Sequence, residues 1–349
     1  MSAAARLDRA RRHLDTPPVT PVPGQLVVEA AAEMDASTPK PAFTYLSLGA
    51  GVQSTTLLLL AAEGRLPKPD AALFADTGWE PRSVYEHLDR LDREVAQPAG
   101  IPIVRVRAVS STGKRSAGDL RADSLHPGSW MRLPVFVLDS KGESAAMVRR
   151  QCTEEFKVTP IKKAVRERLG YPHPRRVPHS VFAEQWIGIS RDEFHRAKDA
   201  QVGYLRNAFP LLHLDGAADG RGGWTRNDCI RYLRSVGWGE TPKSACIGCP
   251  FHGNRAWRDL RDNSPEEWAD AVEFDRQMRE VPHRGIKHAP YLHRSLLPLD
   301  EAPIDRVTRG EWTDRQGDLF DAVADAELEL AENGAADGCS PWSCRSDGA

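Results

Sequence analysis

YLSLGAGVQSTTLLLLAAEG, residues 45–64, carries an apolar run into two glycines, then three hydroxyl side chains and a row of leucines. The pattern predicts a strand over 43–48, a tight turn, and a helix from Ser54 to Glu63 that Gly64 stops. Such a turn aims backbone N–H groups at one point, and the helix dipole adds partial positive charge there. A phosphate is the guest this suits. A glycine turn that holds nothing is the other reading.

Outward from this stretch, short apolar runs alternate with helical patterns. AALFAD (71–76), IPIVRVRA (101–108) and EQWIGIS (184–190) read as further strands, with a helix around Pro81 to Glu94. Strands separated by amphipathic helices predict an α/β fold, a parallel sheet sandwiched by helices. Between the third and fourth strands lies an insertion, 109–183, with a helix expected in TPIKKAVRERLG: Thr159 as cap, Pro160 in the first turn, Gly170 at the end. After 220 the pattern turns helical. Thr225 and Asp228 open one helix that Gly237 closes, and Ser264, Pro265 and Glu267 form a capping box for the next. The expected division is a disordered segment 1–40, a nucleotide-binding domain 41–215, a helical cysteine-containing region 216–312, and a helix with a loose tail over 313–349.

The 349 residues are 40% hydrophobic and 28% charged, ordinary for a soluble globular chain. No apolar run has the length of a membrane helix, and the first residues lack the apolar core of a secretory signal, so a cytoplasmic protein is expected. A net charge of −2 argues against a dedicated nucleic-acid binder. Six cysteines without a signal peptide point to metal, redox or core roles rather than a disulfide framework.

The glycine turn can be sorted by its neighbours. A Walker loop needs a lysine after its last glycine, and none follows. The dinucleotide pattern G-x-G-x-x-G fits Gly49 and Gly51, with Asp76 at the end of the second strand, but its third position is Ser54. The cluster Ser54-Thr55-Thr56 favours direct donation to phosphate oxygens. Here the sequence resembles the PP-loop ATP pyrophosphatase superfamily, whose loop reads S-G-G-x-D-S-T. Ala50-Gly51-Val52-Gln53-Ser54-Thr55 lies on that pattern, with Gly49 in place of the leading serine and Gln53 in place of the aspartate. FADTGWEP (74–81) and GISRDEFHR (188–196) resemble segments of the phosphoadenylyl-sulfate (PAPS) reductase-like branch. The resemblance spans about Tyr45 to Leu297.

The resemblance implies an adenine nucleotide alpha-hydrolase-like fold that binds ATP, or adenylyl sulfate, with Mg²⁺. Ser47, Gly49, Gly51, Gln53, Ser54 and Thr55 would hold the phosphates, and Asp76, Thr77 and Gly78 would lie beside the nucleoside. Arg191, in a catalytic role, and Arg196 would grip an anionic part of the substrate, since guanidinium forks match sulfate and phosphate oxygens. Ion pairs to Asp192 or Glu193 on a solvated helix are the alternative for both.

KSACIGCPFHGN supplies Cys246-x-x-Cys249, and RRQCTEEFKVTP a lone Cys152. A C-x-x-C pair with a distant third cysteine suits a three-ligand [4Fe–4S] cluster. Zinc, with His252 or Cys229 as fourth ligand, and uncoordinated thiols remain alternatives. Cys229, on an apolar helical face, reads as a core thiol. Lys157, in CTEEFK, resembles the family's cysteine-to-lysine spacing and is the catalytic cation expected among the basic residues Arg149, Arg150, Lys162, Lys163, Arg166 and Arg168. Those charges would contact a polynucleotide if one is the substrate. Lys243, His252, Arg255, His293 and Arg294 are weaker candidates. Cys339 and Cys344 sit in an exposed tail, and Cys344 is a candidate carrier of sulfur or electrons, an idle tail being the alternative.

These residues suggest a PP-loop enzyme that adenylylates an acceptor, releases pyrophosphate and transfers sulfur to it. A tRNA, a DNA or a small molecule is the expected acceptor, and a thioredoxin-like or cysteine desulfurase-type protein the expected donor. A homodimer is compatible with this. A sulfonucleotide reductase yielding sulfite and a non-catalytic nucleotide sensor are the rivals, with a dinucleotide oxidoreductase behind them.

Overall fold

A computed structural model describes residues 39–108, 118–139, 141–142, 144–217, 220–308 and 311. Cys339, Cys344, the helix expected after 312 and nearly all of 1–40 lie outside the described residues. The chain divides into two compact units, Met1–Lys40 and Pro41–Ala349, and every described element belongs to the second.

Five strands form one parallel sheet: β1 (Phe43–Ser47), β2 (Ala71–Asp76), β3 (Ile103–Arg107), β6 (Ala183–Trp186) and β7 (Leu205–Ala208), in the order β3-β2-β1-β6-β7. All six residues of β2 are buried, as a central parallel strand covered on both faces requires. Helices α1 (Val52–Ala62), α2 (Arg82–Leu91) and α4 (Arg226–Ser235) share an apolar core with one face of the sheet, through Leu46, Leu57, Leu88, Trp186 and Leu233. Helix α3 (Thr159–Arg168) packs Ile161 and Val165 against Phe43, Tyr45 and Leu73 on the other face. The α/β sandwich expected from the sequence is therefore the fold observed.

A third core gathers Trp79, Leu120, Cys152, Phe156, Cys246 and Leu292 with α5 (Asn254–Asn263) and α6 (Pro265–Glu280), through Trp257, Phe274 and Met278. An antiparallel pair, β4 (Phe136–Leu138) and β5 (Ala145–Met147), lies within the insertion. No helix among the described residues is long and apolar enough to cross a membrane.

Several sequence expectations need correction. α3 is preceded by a π-helical turn, Thr153–Val158, so Thr159 is no cap; its hydroxyl donates to Glu154 instead, at 3.4 Å. Ser264 has no capping hydrogen bond, because Glu267 accepts from the Arg82 amide at 2.6 Å and ties α6 to the start of α2. The Thr225–Asp228 capping box is present on α4. Strands β4, β5 and β7 and helix α5 were not anticipated, being short or lacking a clean period.

Asp275, on α6, is 1% exposed and anchors the chain beyond it. Its carboxylate accepts from the amides of Leu292 (2.8 Å) and Leu299 (3.1 Å) and pairs with Arg279. Desolvation raises its pKa, and these three partners oppose the rise. Asp275→Ala removes the acceptor and strands a mostly buried guanidinium. A loss of about 3 kcal/mol in urea unfolding is expected, and a change below about 0.5 kcal/mol would show the anchor to be idle.

Candidate nucleotide site

Strand order reverses direction at β1: β2 and β3 lie on one side, β6 and β7 on the other. Ligands of open parallel sheets bind beyond the carboxyl ends of the strands at such a point. The turn after β1 and the segment after β6 meet there. A Cβ placed on Gly188 would lie 3.0 Å from both Gln53 Cβ and the Ser54 amide nitrogen. Only a residue without a side chain lets the second segment rest against the first turn of α1 without displacing it.

The turn itself is held in an unusual shape. Ala50 adopts φ +59°, a left-handed conformation that costs a residue with a Cβ roughly 1–2 kcal/mol. Gly51 is the extended N-cap of α1, and no side chain caps the helix's leading amides. The Ser54 hydroxyl stays within the turn, donating to Gly51 O and accepting from the Gly49 amide, both at 3.2 Å. Ser47, at the end of β1, is buried, while Gly49 is partly open.

Gln53 is 3% exposed and links three elements. Its amide nitrogen donates to Glu193 at 3.1 Å, and its oxygen accepts from Arg226, at the start of α4, at 3.0 Å. Glu193 also pairs with Arg196, both buried. A carboxylate at position 53 would face that of Glu193 at hydrogen-bond range, so the amide is the side chain compatible with this acid. The Arg226 amide in turn donates to Asp192 at 2.9 Å. The ion pair weighed for Arg196 is thus present, whereas Arg191 reaches Gly222 O at 3.3 Å.

Thr55 points away from the turn. Its hydroxyl is fully buried, 3.0 Å from His87 Nε2 on α2. Asp76 also acts as a brace: it accepts from the Gly78 amide (2.9 Å) and the Tyr85 hydroxyl (2.8 Å), and pairs with Arg107 at 2.7 Å. Gly78 has φ +75°, with the backbone of Gly118 and Asp119 3.1 Å from where a Cβ would stand.

A second cluster adjoins the turn. Thr77 donates to Glu80 Oε1 at 3.0 Å, and the Cys246 sulfur lies 3.4 Å from the Thr77 hydroxyl and 3.5 Å from the same Glu80 oxygen. Lys157 Nζ is 3.8 Å from it as well, the two side chains 7% and 1% exposed. Three separate motifs, D-T-G, C-T-E-E-F-K and C-x-x-C, therefore converge on Glu80. The cysteine segment reaches the phosphate turn too: Ser244 Oγ would be 3.8 Å from a Cβ on Gly49. Gly248, between the cysteines, lies under the Trp79 indole, whose ring would stand 2.1 Å from any Cβ there, and the Ile247 amide donates to Trp79 O at 3.0 Å.

Cys152, Cys246 and Cys249 are all buried. Cys152 and Cys246 belong to the third core, and Cys249 lies with Ala245 and Phe251. Among the described residues no three His, Cys, Asp or Glu side chains gather as a metal site. Cys152, Cys246 and Cys249 are the thiols that would hold a metal group if one binds. The His252 ring faces Cys246 O at 3.0 Å, and His293 bridges Ser295 and Asn254. Cys229 is a core thiol, its pKa pushed up to about 12 by burial.

The residues that sequence reasoning missed are Glu80, Gly188, Arg226 and Ser244. Glu80 and Gly188 lay inside quoted motifs, but nothing short of the fold shows that one is a hub and the other a contact. Arg226 and Ser244 carry no sequence signal.

No known protein family matches the chain, and no curated protein matches it significantly. Two solved structures are similar to it. One is the phosphoadenylyl-sulfate (PAPS) reductase from Candida auris, as its phosphate complex, at 14% identity over 58% of this chain and 75% of that one, TM-score 0.31. The other is the U34-tRNA thiolase NcsA from Methanococcus maripaludis with its [4Fe-4S] cluster, at 11% identity over 72% and 78%, TM-score 0.34.

Burial, and secondarily the charge of Arg90, lowers the His87 pKa from 6.5 to about 4. The unfolded imidazole takes its proton near pH 6.5 and the folded one only near 4, so the stability it contributes is complete above 6.5 and drains as pH falls toward 4. A loss on the order of 3 kcal/mol across that window is expected, and urea melts of His87→Gln should show a flatter slope there; an unchanged slope would place the titration elsewhere. For the Glu80 pair, Lys157→Met leaves a buried carboxylate and should cost about 3–5 kcal/mol. Lys157→Met with Glu80→Met should recover most of that loss.

Proposed function

We propose that the chain is a PP-loop adenine-nucleotide enzyme that adenylylates an acceptor with release of pyrophosphate and then passes sulfur to it. One observation carries the nucleotide part: uncapped leading amides of α1, in a strained glycine turn, face the switch point of a parallel sheet and are closed on one side by Gly188. Those amides and the helix dipole suit phosphate oxygens.

In this reading an acceptor oxygen attacks the α-phosphorus of ATP, and pyrophosphate leaves as the amides stabilise its growing charge. The adenylylated carbon then takes a sulfur nucleophile supplied by a donor protein, and AMP departs. The contact between the Ser244–Cys249 segment and the turn supports sulfur chemistry at the same place. No carboxylate occupies the loop position held by Gln53, and neither Mg²⁺ nor iron is assigned a step. Lys157 neutralises Glu80 rather than pointing at an incoming anion.

A second reading, a nucleotide sensor without turnover, is favoured by Gln53, which is tied between Glu193 and Arg226. Pyrophosphate release separates the two, and sulfite production from adenylyl sulfate would mark the reductase alternative. ATP binding by calorimetry, with exchange of labelled pyrophosphate into ATP in the presence of total tRNA as candidate acceptor, is the test. The wild type should bind and exchange, while Gly188→Leu, which drives a side chain into the first turn of α1, should weaken ATP binding at least about 100-fold. Equal binding by the variant would remove the turn from the site, and binding without exchange would favour the sensor.

A further inference from the structure

The opposite edge of the sheet, where the strands begin, carries a feature that the nucleotide reading leaves unused. Four arginines lie there over aromatic rings: Arg168 over Phe43 at 5.7 Å, Arg206 over Phe182 at 3.7 Å, Arg166 over Tyr204 at 5.6 Å and Arg175 over Tyr171 at 5.5 Å. Phe43 opens β1, Phe182 precedes β6 and Tyr204 precedes β7, so the pairs follow the strand starts. Elsewhere the chain matches arginines to carboxylates, as at Arg107, Arg132, Arg258 and Arg261. Among the described residues none of these four, nor Arg176, has a carboxylate partner. Arg166 donates to the carbonyls of Tyr171 and Arg175, Arg175 to Gly170 O at 3.3 Å, and Arg176 lies 3.4 Å from the His179 ring.

The same edge holds a cavity of about 480 Å³, lined by Arg166, His173, Arg176, His179 and Tyr204 with prolines and no acid. Residues 158–182 contain six lysines and arginines against one glutamate, in a chain of net charge −2. On the same sheet face Tyr45, Gln185 and Asn207 stand in register on β1, β6 and β7. Each has a buried polar atom without a hydrogen-bond partner. Such groups are ordinarily met by water, so this face is polar inside as well as at its rim.

We infer that this edge binds the phosphodiester backbone of a single-stranded polynucleotide, with one nucleotide seated in the cavity. Guanidinium groups without a carboxylate partner suit phosphate oxygens. A free phosphate needs one such cation. Arg166 and Arg168 on α3, Arg175 and Arg176 just beyond it, and Arg206 at the start of β7 instead offer several cations to successive phosphates of a strand. The half-buried Tyr204 and the exposed His173 and His179, all lining the cavity, offer stacking surfaces for a base. The inference does not depend on the nucleotide reading, because this edge lies at the other end of the strands.

The test is fluorescence anisotropy of a labelled 20-nucleotide single-stranded RNA with the full chain, repeated with inorganic phosphate and with AMP as competitors. Engagement of about three phosphates gives a slope of log K against log salt near −2, hence a roughly 20-fold loss between 50 and 200 mM salt. Arg175→Gln with Arg176→Gln, both exposed, should weaken binding at least about tenfold and flatten the slope by about 1.4, without moving the urea midpoint or ATP affinity. Gly188→Leu should leave RNA binding intact, so a failure of the nucleotide reading registers separately. Unchanged RNA affinity in the double variant would overturn the inference. So would displacement of the RNA by phosphate or AMP at millimolar concentration, which would mark a small-anion pocket.

Discussion

The approach of Gly188 to the first turn of α1 is the constraint on which the rest of the site depends. It sets how closely the segment after β6 can lie to the turn after β1, and so brings Glu193 within reach of Gln53 and Arg226. The parallel order of the strands puts both segments at one end of the sheet, and the strained Ala50 turn presents uncapped helix amides between them. Strain held at a turn whose surroundings over-determine it is common where backbone must meet a ligand. Each part is ordinary alone, and their meeting sets uncapped helix amides at the switch point of the sheet.

A second layer stands behind the first. Glu80 collects a threonine, a lysine and a thiol from three stretches of chain, and burying the Lys157–Glu80 pair carries a desolvation penalty that stability alone does not explain. Gly248 allows the Trp79 indole to press flat on the cysteine turn, which fixes that turn against the D-T-G segment and beside Gly49. The third core, from Trp257 to Leu292, holds this layer in place rather than the sheet. The cysteine segment and the glycine turn thus share a wall, while the arginine-lined edge is separated from both by the length of the strands.

The sheet was legible because its strands are buried on both faces and read as continuous apolar runs; AALFAD is found at the predicted residues. The turn was legible because glycine and hydroxyl residues at a strand–helix junction have few other uses. Roles of individual side chains were less so. Thr55 and Ser54 are adjacent and alike in chemistry, yet one faces the turn and the other His87, which helix phase alone decides. Asp76 looked like a nucleoside contact and is a brace, because Tyr85 and Arg107 arrive from elements distant in sequence. The cysteines had metal-ligand spacing, but spacing does not fix whether three sulfurs converge, and among the described residues they form no metal group. Arg166 and Arg168 stood among the basic residues, but their pairing with rings was not legible, since the partners lie around residue 43, within 166–182 and at 204–206.

The central claim is that the bend between β1 and α1 receives the phosphates of an adenine nucleotide. A crystal structure grown with a non-hydrolysable ATP analogue tests it most directly. Density for the phosphate chain within hydrogen-bond distance of the amides of residues 51–54, with Gly188 alongside, is the result expected. A vacant bend with the analogue bound in another cleft would contradict the account.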